Sequence, residues 1–243
     1  MPLPFSIVIP TYNEAAGIEK LVGTLDATFR ANALDGEIIV VDDNSPDGTG
    51  AIVDELSKRL PVRALHRSGK LGLSSAVIEG WRIARPQSVL LGAMDADFSH
   101  DVRALPNMAA ALESGEYGLA VGSRYVHGGG IANWPARRVI TSRVACWLAR
   151  PLTRVKDVTS GYFLVRRDAL DGVTLDPIGF KIGLEVIAKA HYGRAIEIPY
   201  VFTDRVAGES KLNQREIFNY LRQLRRLYAA SWLSQPAKSR KAS

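Results

Sequence analysis

Two carboxylates two residues apart, Asp95 and Asp97, close the apolar run 88–94, with Ala96 between them. On an extended chain, residues i and i+2 project to one side, so both can aim at one hard cation. An incomplete protein cage of this kind leaves coordination sites for substrate phosphates. The same spacing also serves a tight turn or a helix cap.

Four further clusters carry chemistry. Pro10-Thr11-Tyr12-Asn13-Glu14 offers an aromatic ring and a carboxylate that can stack on and hydrogen-bond a nucleoside; it is equally a loop into a helix that favours acid in its first turn. Asp42 and Asp43 can accept from ribose hydroxyls, as acids behind a second strand do in dinucleotide folds, or form a solvated turn with Ser45 or Asp47 as an N-cap. No G-x-G-x-x-G follows the first strand, which argues against NAD or FAD. Lys70 sits in Ser-Gly-Lys-Leu-Gly, which is not a Walker loop but can place the amine near the anionic edge, or simply on the surface. The basic set Arg124, Arg137, Arg138, Arg143, Arg205 and Lys211 suits phosphate, which favours guanidinium forks. Arg205 and Lys211 flank Gly208 in a loop that can close over a diphosphate, or remain a charged surface loop.

Positioning these clusters falls to alternating strands and helices. Apolar runs at 5–9, 37–41, 62–65 and 88–94 read as strands. Helical spacing follows at Ile18, Leu21, Val22, Leu25 and Phe29, at Ile52, Val53, Leu56 and Leu60, and over 74–85. Four such alternations predict a parallel sheet covered by helices on both faces. Ligands of such sheets bind beyond the carboxyl ends of the strands, so the loops at 10–14, 42–49 and 95–100 should share one edge. Beyond them a helix is expected over 101–113 and a strand over 117–121. A glycine-rich flexible loop at 128–130 and an amphipathic helix over 134–152 come next. A strand over 161–167, a helix over 179–191, a strand over 195–202 and a basic helix over 215–233 complete the pattern. No internal repeat is visible. Residues 1–233 are read as one domain, with a ligand-loop half to 122 and a more basic half from 123; 234–243 read as a disordered basic tail.

At 243 residues and 47% hydrophobic composition the chain can bury a sizeable core. Its formal charge of +6 allows nucleic acid, an anionic membrane surface or a phosphorylated substrate. One cysteine, Cys146, excludes an internal disulfide framework and a cysteine-rich zinc site. His66, His100, His127 and His191 are scattered, and structural or surface roles are expected of them. No signal peptide and no membrane-spanning run are expected.

Taken as a set, the motifs PTYNE (10–14), DDNSPDGT (42–49), GKLGLSSA (69–76), DADFSH (95–100) and GSRYV (122–126) resemble those of the polyprenol-phosphate mannosyltransferases, which include dolichyl-phosphate mannose synthase. So do NWPARRVITS (133–142), DVTSG (157–161), GFKIGLE (179–185) and RVAGESK (205–211). These are inverting GT-A glycosyltransferases of family two. The resemblance runs in order over about residues 5–212. It implies a GT-A fold with a mostly parallel central sheet and a C-terminal amphipathic helix. It also implies GDP-mannose as donor, a polyprenyl phosphate as acceptor, and Mg²⁺ or Mn²⁺. By the resemblance, Pro10, Tyr12, Glu14, Val41 and Asp43 line the guanosine pocket, with Asp42 able to replace Asp43, and Lys70 lies near the donor. Asp95, Ala96 and Asp97 flank the diphosphate, the two aspartates holding the metal. Arg205 and Lys211 hold the donor phosphate and reaction-centre charge; with Asp97 they form the expected catalytic set. Arg124, Arg138 and Ser142 take the acceptor phosphate. Related sequences often carry DADLQH; Ser99 stands here in place of that glutamine and is a weaker ligand for a hard cation.

The acceptor is already an anion at neutral pH, so no general base is expected, and Asp97 is read as a metal ligand. Its apolar tail implies peripheral attachment to the cytoplasmic face of a membrane: the plasma membrane in a bacterium, the endoplasmic reticulum in a eukaryote. Helices 134–152 and 215–233, with Trp134, Trp147, Leu148, Tyr228 and Trp232, are the expected contacts unless they simply cover the core; a separate membrane-anchoring partner also fits. The close rival is a polyprenyl-phosphate glucosyltransferase using UDP-glucose. The rival from another class, a nucleic-acid-binding module, lacks any recognisable RNA- or DNA-reading motif.

Overall fold

The computed structural model describes residues 2–203 and 214–233. The first half runs β1 (Phe5–Thr11), α1 (Ala15–Ala31), β2 (Gly36–Asp42), α2 (Thr49–Ser57), β3 (Val62–His66), α3 (Leu73–Ile83) and β4 (Leu90–Ala93). The second half runs α4 (Leu105–Glu113), β5 (Leu119–Ser123), β6 (Gly130–Ala132), α5 (Ala136–Leu148), β7 (Phe163–Arg166), α6 (Ile182–Lys189), β8 (Ala195–Pro199), β9 (Val201–Thr203) and α7 (Gln214–Leu233). A short 3₁₀ turn over Val102–Ala104 leads into α4, where Pro106 occupies the first turn, the place where a missing N–H costs nothing.

Seven strands form one sheet in the order β3-β2-β1-β4-β7-β5-β8. β1 pairs in parallel with β2 and with β4, and β2 with β3. β7 is the exception: it lies antiparallel between β4 and β5. The sheet is thus mostly parallel, as expected, and its apolar runs are buried on both faces. Phe5, Ile7 and Ile9 turn to the side covered by α1, α2 and α4. Val8 turns to the side covered by α3, α6 and α7. Gly80 lets α3 lie close to the sheet, since a Cβ there would meet Val8 Cγ1 at 2.6 Å.

Two expectations change. The run 195–202 is two strands broken at the buried Tyr200, not one. The glycine loop expected at 128–130 contributes to β6, which pairs in parallel with β9 as a small second sheet. The tail 234–243 and the loop carrying Arg205 and Lys211 lie outside the described residues. Among the described residues no helix is long and apolar enough to cross a membrane.

Candidate functional site

Because β1, β2 and β4 are parallel neighbours, the loops behind them meet at one edge. Their interlock is built from side chains. The N–H groups of Asn13, Glu14 and Ala15, orphaned at the start of α1, donate to Ser45 Oγ (3.0 Å), Thr49 Oγ1 (2.9 Å) and Asp47 Oδ2 (3.0 Å). Asp47 Oδ1 also accepts from the Thr49 N–H at 3.0 Å, so one carboxylate serves the start of both α1 and α2. These bonds outweigh desolvation and hold the Asp47 carboxyl below its ordinary range. Asn13 and Asn44 adopt left-handed backbone (φ 60 and 58), which asparagine tolerates best among side-chain-bearing residues.

Asp42 and Asp43 divide their labour. Asp42 is buried and accepts from Thr11 Oγ1 (3.1 Å) and the Ser45 N–H (3.0 Å), so it holds the loop together. Asp43 reaches the cavity. Its Oδ1 accepts from Arg67 Nε at 2.7 Å and its Oδ2 from the Gly72 N–H at 3.1 Å, tying β2 to the loop before α3. The Val41 side chain is in the core against α3, away from the cavity; its carbonyl accepts from Thr11 Oγ1 at 3.3 Å. Lys70 lies with its ammonium 3.9 Å from the centre of the Tyr12 ring, both at the cavity mouth.

The acidic pair does not continue a strand. β4 ends at Ala93, and residues 96–98 form a bend with Phe98 at φ 57. A turn, not strand alternation, therefore brings Asp95 and Asp97 to the cavity, with the buried Ala96 packed into the core. His100 holds that turn. Its Nδ1 accepts the Asp95 N–H at 3.1 Å and its Nε2 stands 3.7 Å from Asp95 Oδ2. The imidazole stacks on Tyr162 (centroids 5.1 Å, 11°), with Tyr200 and Phe202 edge-on to it. Burial pushes the His100 pKa down, opposed by Asp95 and Asp97, which fits a neutral ring with its proton on Nε2. Asp97 Oδ1 accepts from the Ser99 N–H at 3.1 Å. Ser99 Oγ is buried and has no hydrogen-bond partner among the described residues.

Arg124 also lines the cavity; it is buried and bound to Asp157 through Nε (2.7 Å) and Nη2 (2.6 Å), and to Thr159 Oγ1 at 2.7 Å. Burial alone would lower the guanidinium pKa, but Asp157 holds it above the ordinary value. Arg124 thus lines the cavity with its charge already met. Arg138 caps the Trp134 ring at 3.9 Å, and Ser142 Oγ lies 3.1 Å from Thr159 Oγ1. Arg143 projects elsewhere, outside this cavity. Arg205 and Lys211 lie outside the described residues.

The cavity measures about 820 Å³ and runs from the strand ends to α5 and α7. Its lining includes Pro10, Tyr12, Glu14, Asp43 and Lys70 from the loops behind β1, β2 and β3, Asp95, Ala96 and Asp97 from the turn after β4, and Arg124, Arg138 and Ser142 from the segment that runs from β5 into α5. Beyond Ser142 the walls turn apolar, with Val144, Leu148, Ile217, Tyr220 and Leu221. Sequence reasoning missed Lys181, whose Nζ donates to the Thr159 carbonyl at 3.3 Å on the cavity wall. Burial, helped by Arg124, lowers its pKa to about 8. It also missed the ring set of His100, Tyr162, Tyr200 and Phe202. Trp134, expected as a membrane contact, lines the cavity beneath Arg138. Lys181 and Asp157 sit in the motifs 179–185 and 157–161, but only spatial neighbours reveal their partners.

The donor set fits a hard divalent cation. Asp95 and Asp97 both line the cavity, soft sulfur is absent from its walls among the described residues, and the His100 Nδ1 lone pair is already used. Among the described residues there is no cluster of three or more protein ligands, so the remaining oxygens would come from substrate or water.

The glycosyl transferase family 2 model matches residues 6–174. The chain is 43% identical over 229 residues to the dolichol-phosphate mannosyltransferase of Pyrococcus furiosus, covering 91% of this chain and 63% of that protein, so it spans somewhat less than two thirds of that relative. It is 39% identical to the polyprenol monophosphomannose synthase of Mycolicibacterium smegmatis (87% and 82% covered). To the Saccharomyces cerevisiae dolichol-phosphate mannosyltransferase it is 37% identical (94% and 88%). Among solved structures, mannosyltransferase PcManGT of Pyrobaculum calidifontis, in complex with GDP-Man and Mn²⁺, matches with a TM-score of 0.63 at 18% identity (97% and 67% covered). Glucosyl-3-phosphoglycerate synthase of Mycobacterium tuberculosis matches at 0.66 and 19% (94% and 79%). These last two establish the fold, a GT-A fold, and the sequence matches the lineage: the chain belongs to glycosyl transferase family 2.

Proposed function

We propose that the protein transfers mannose from GDP-mannose to a polyprenyl phosphate of dolichyl type, with inversion, giving a polyprenyl-phosphate mannose. The observation that carries this is the continuity of one cavity. A strand-end pocket with an aromatic ring and acids opens past Asp95 and Asp97 into a basic and hydroxyl-bearing waist, then into an apolar trough between α5 and α7. A nucleotide sugar suits the first part, a phosphate the waist and an isoprenoid tail the last. The curated relatives are named for this transfer, which supports the same reading.

In this reading Tyr12 stacks on the base, Glu14 and Asp43 accept from the nucleoside, and Lys70 closes over it. Asp95 and Asp97 hold Mg²⁺ or Mn²⁺, which when bound offsets charge on the leaving diphosphate. The presence of Mn²⁺ in two solved relatives supports this assignment. Arg138, Lys181 and Ser142 receive the acceptor phosphate, while Arg124 braces that wall through Asp157. Arg205 and Lys211, from the motif at 205–211, supply further positive charge to the donor. An acceptor phosphate oxygen attacks C1, the bond from C1 to the diphosphate oxygen breaks, and GDP leaves. The nucleophile is already an anion, so no side chain needs to take a proton, and Asp97 serves as a cation ligand.

The acceptor lives in a membrane, so the protein works as a peripheral enzyme at the cytoplasmic face, alone or with an anchoring partner. Exposed Ile140, Trp147 and Phe218 on α5 and α7 support that placement. The test is the product. Incubation with GDP-mannose and a short-chain polyprenyl phosphate should give GDP and a β-linked mannosyl phosphodiester by NMR. An α-linked product, or hydrolysis of GDP-mannose with no lipid product, would overturn the reading.

A further inference from the structure

A second concavity lies on the other side of α5. It measures about 430 Å³, and its walls include Tyr125, Arg143, Trp147, Arg150 and Lys156 over the buried Cys146. On a helix of 3.6 residues per turn, Arg143 lies about 140–160° round from Thr141, Ala145 and Leu148, which face the larger cavity. The two hollows therefore lie mainly on different faces of α5, with Arg124 bordering both.

Its charge is one-sided. No carboxylate lines it, and among the described residues none of Arg143, Arg150 and Lys156 pairs with an acid. Glu197, an acid bonded to this segment, is occupied: its Oε2 accepts the Lys156 N–H at 2.8 Å, and its Oε1 accepts the Asp157 N–H and Ser123 Oγ. Among the described residues Arg150 reaches only the Arg154 carbonyl, at 3.4 Å, and Arg143 lies 5.8 Å from the centre of the Tyr125 ring. Arg124 also borders the concavity, but Asp157 neutralises it. Three unpaired cations around one hollow repel one another, and a bound anion relieves that repulsion.

The rim says which kind of anion. Trp147 is 71% exposed and Ile140 is 62% exposed on the adjoining surface of α5. An indole and an aliphatic chain beside arginines and a lysine match the boundary between lipid headgroups and acyl chains. We propose that this concavity binds the phosphate of an anionic membrane lipid headgroup, with Trp147 and Ile140 seated in the acyl boundary. It is a second lipid site, distinct from the acceptor trough. It would dock α5 on the bilayer and turn the trough toward its lipid acceptor, and this purpose rests on the lipid-acceptor reading above.

The test uses the full chain and sedimentation with phosphatidylcholine vesicles, with and without phosphatidylglycerol. Wild-type protein should bind the phosphatidylglycerol vesicles preferentially. The double variant Arg150→Ala/Lys156→Ala should lose about tenfold to thirtyfold of that affinity, and Trp147→Ala should weaken binding as well. Turnover with a short water-soluble polyprenyl phosphate should be unchanged in both variants, and turnover with acceptor embedded in phosphatidylglycerol vesicles should fall. Equal vesicle binding by wild type and double variant would overturn the proposal. So would displacement from vesicles by inorganic phosphate or an oligonucleotide at matched phosphate concentration, which would point to a soluble anion or nucleic acid. Absence of transfer to the soluble acceptor would count against the mannosyltransferase reading alone, because vesicle binding is read separately.

Discussion

The backbone N–H of Asp95 donates to Nδ1 of His100 at 3.1 Å, so the first carboxylate of the acidic pair is held by a ring five residues later. That ring is clamped between Tyr162 and the edges of Tyr200 and Phe202. Supports of this kind around cation ligands are worth about 10–100-fold in metal affinity or activity. His100→Ala should therefore raise the Mn²⁺ concentration needed for half-maximal turnover by about that factor. His100→Asn, whose Oδ1 can stand in for Nδ1, should recover part of it. Equal metal dependence in wild type and His100→Ala would contradict this role.

Arg124 and Asp157 form a buried, doubly bonded ion pair, and removing one partner strands the other charge. Asp157→Ala should cost about 3–5 kcal/mol of stability, measured by denaturant unfolding. Arg124→Met should also lower the melting temperature in the absence of any substrate. Were Arg124 only a phosphate contact, its loss would raise the acceptor KM and leave the melt unchanged.

Lys181 supplies a pH signature. Burial lowers its pKa to about 8, so its cation is lost from the cavity wall as pH rises through that value. The kcat/KM for acceptor should fall on an alkaline limb near pH 8. Lys181→Arg, which stays protonated, should move that limb upward. Stability moves the other way. The folded state binds the proton less tightly than the unfolded chain, so the folding penalty of this group is present below about 8 and is relieved as pH rises toward the ordinary lysine value of about 10.4. Melts of wild type and Lys181→Met should therefore converge across that window.

Tyr12, at the mouth beneath Lys70, is assigned to the base of the donor. Stacking of a base on an aromatic ring contributes about 1–3 kcal/mol. Tyr12→Ala should weaken GDP binding by about tenfold or more in calorimetry, and Tyr12→Phe should leave it nearly unchanged. A loss in the phenylalanine variant as large as in the alanine variant would shift the role to the hydroxyl.

Much of this layout is readable in the sequence because strand and helix periodicities bury their own faces. Phe5, Ile7 and Ile9 against Val8 mark a strand covered on both sides, and three strand-end loops then have to share an edge. The direction of β7 is not readable, because a short apolar run such as Phe163–Arg166 fits either orientation between β4 and β5. Asp42 and Asp43 look alike in sequence; only the packing of Thr11 and Arg67 against them separates a loop brace from a cavity wall. The pair Asp95 and Asp97 was expected to share a side by strand alternation and instead shares it through a turn that depends on His100. The same holds for α5. Its spacing resembles a surface helix, yet one face lines the large cavity and the other frames a separate basic hollow.

The most direct measurement offers purified protein GDP-mannose and UDP-glucose in parallel, with one polyprenyl phosphate, in Mn²⁺ and again in EDTA. Polyprenyl-phosphate mannose should form from GDP-mannose in Mn²⁺, with little product from UDP-glucose, and transfer should be lost in EDTA and in Asp95→Asn. Transfer of glucose at an equal or higher rate, or undiminished mannose transfer in EDTA, would contradict the proposed function.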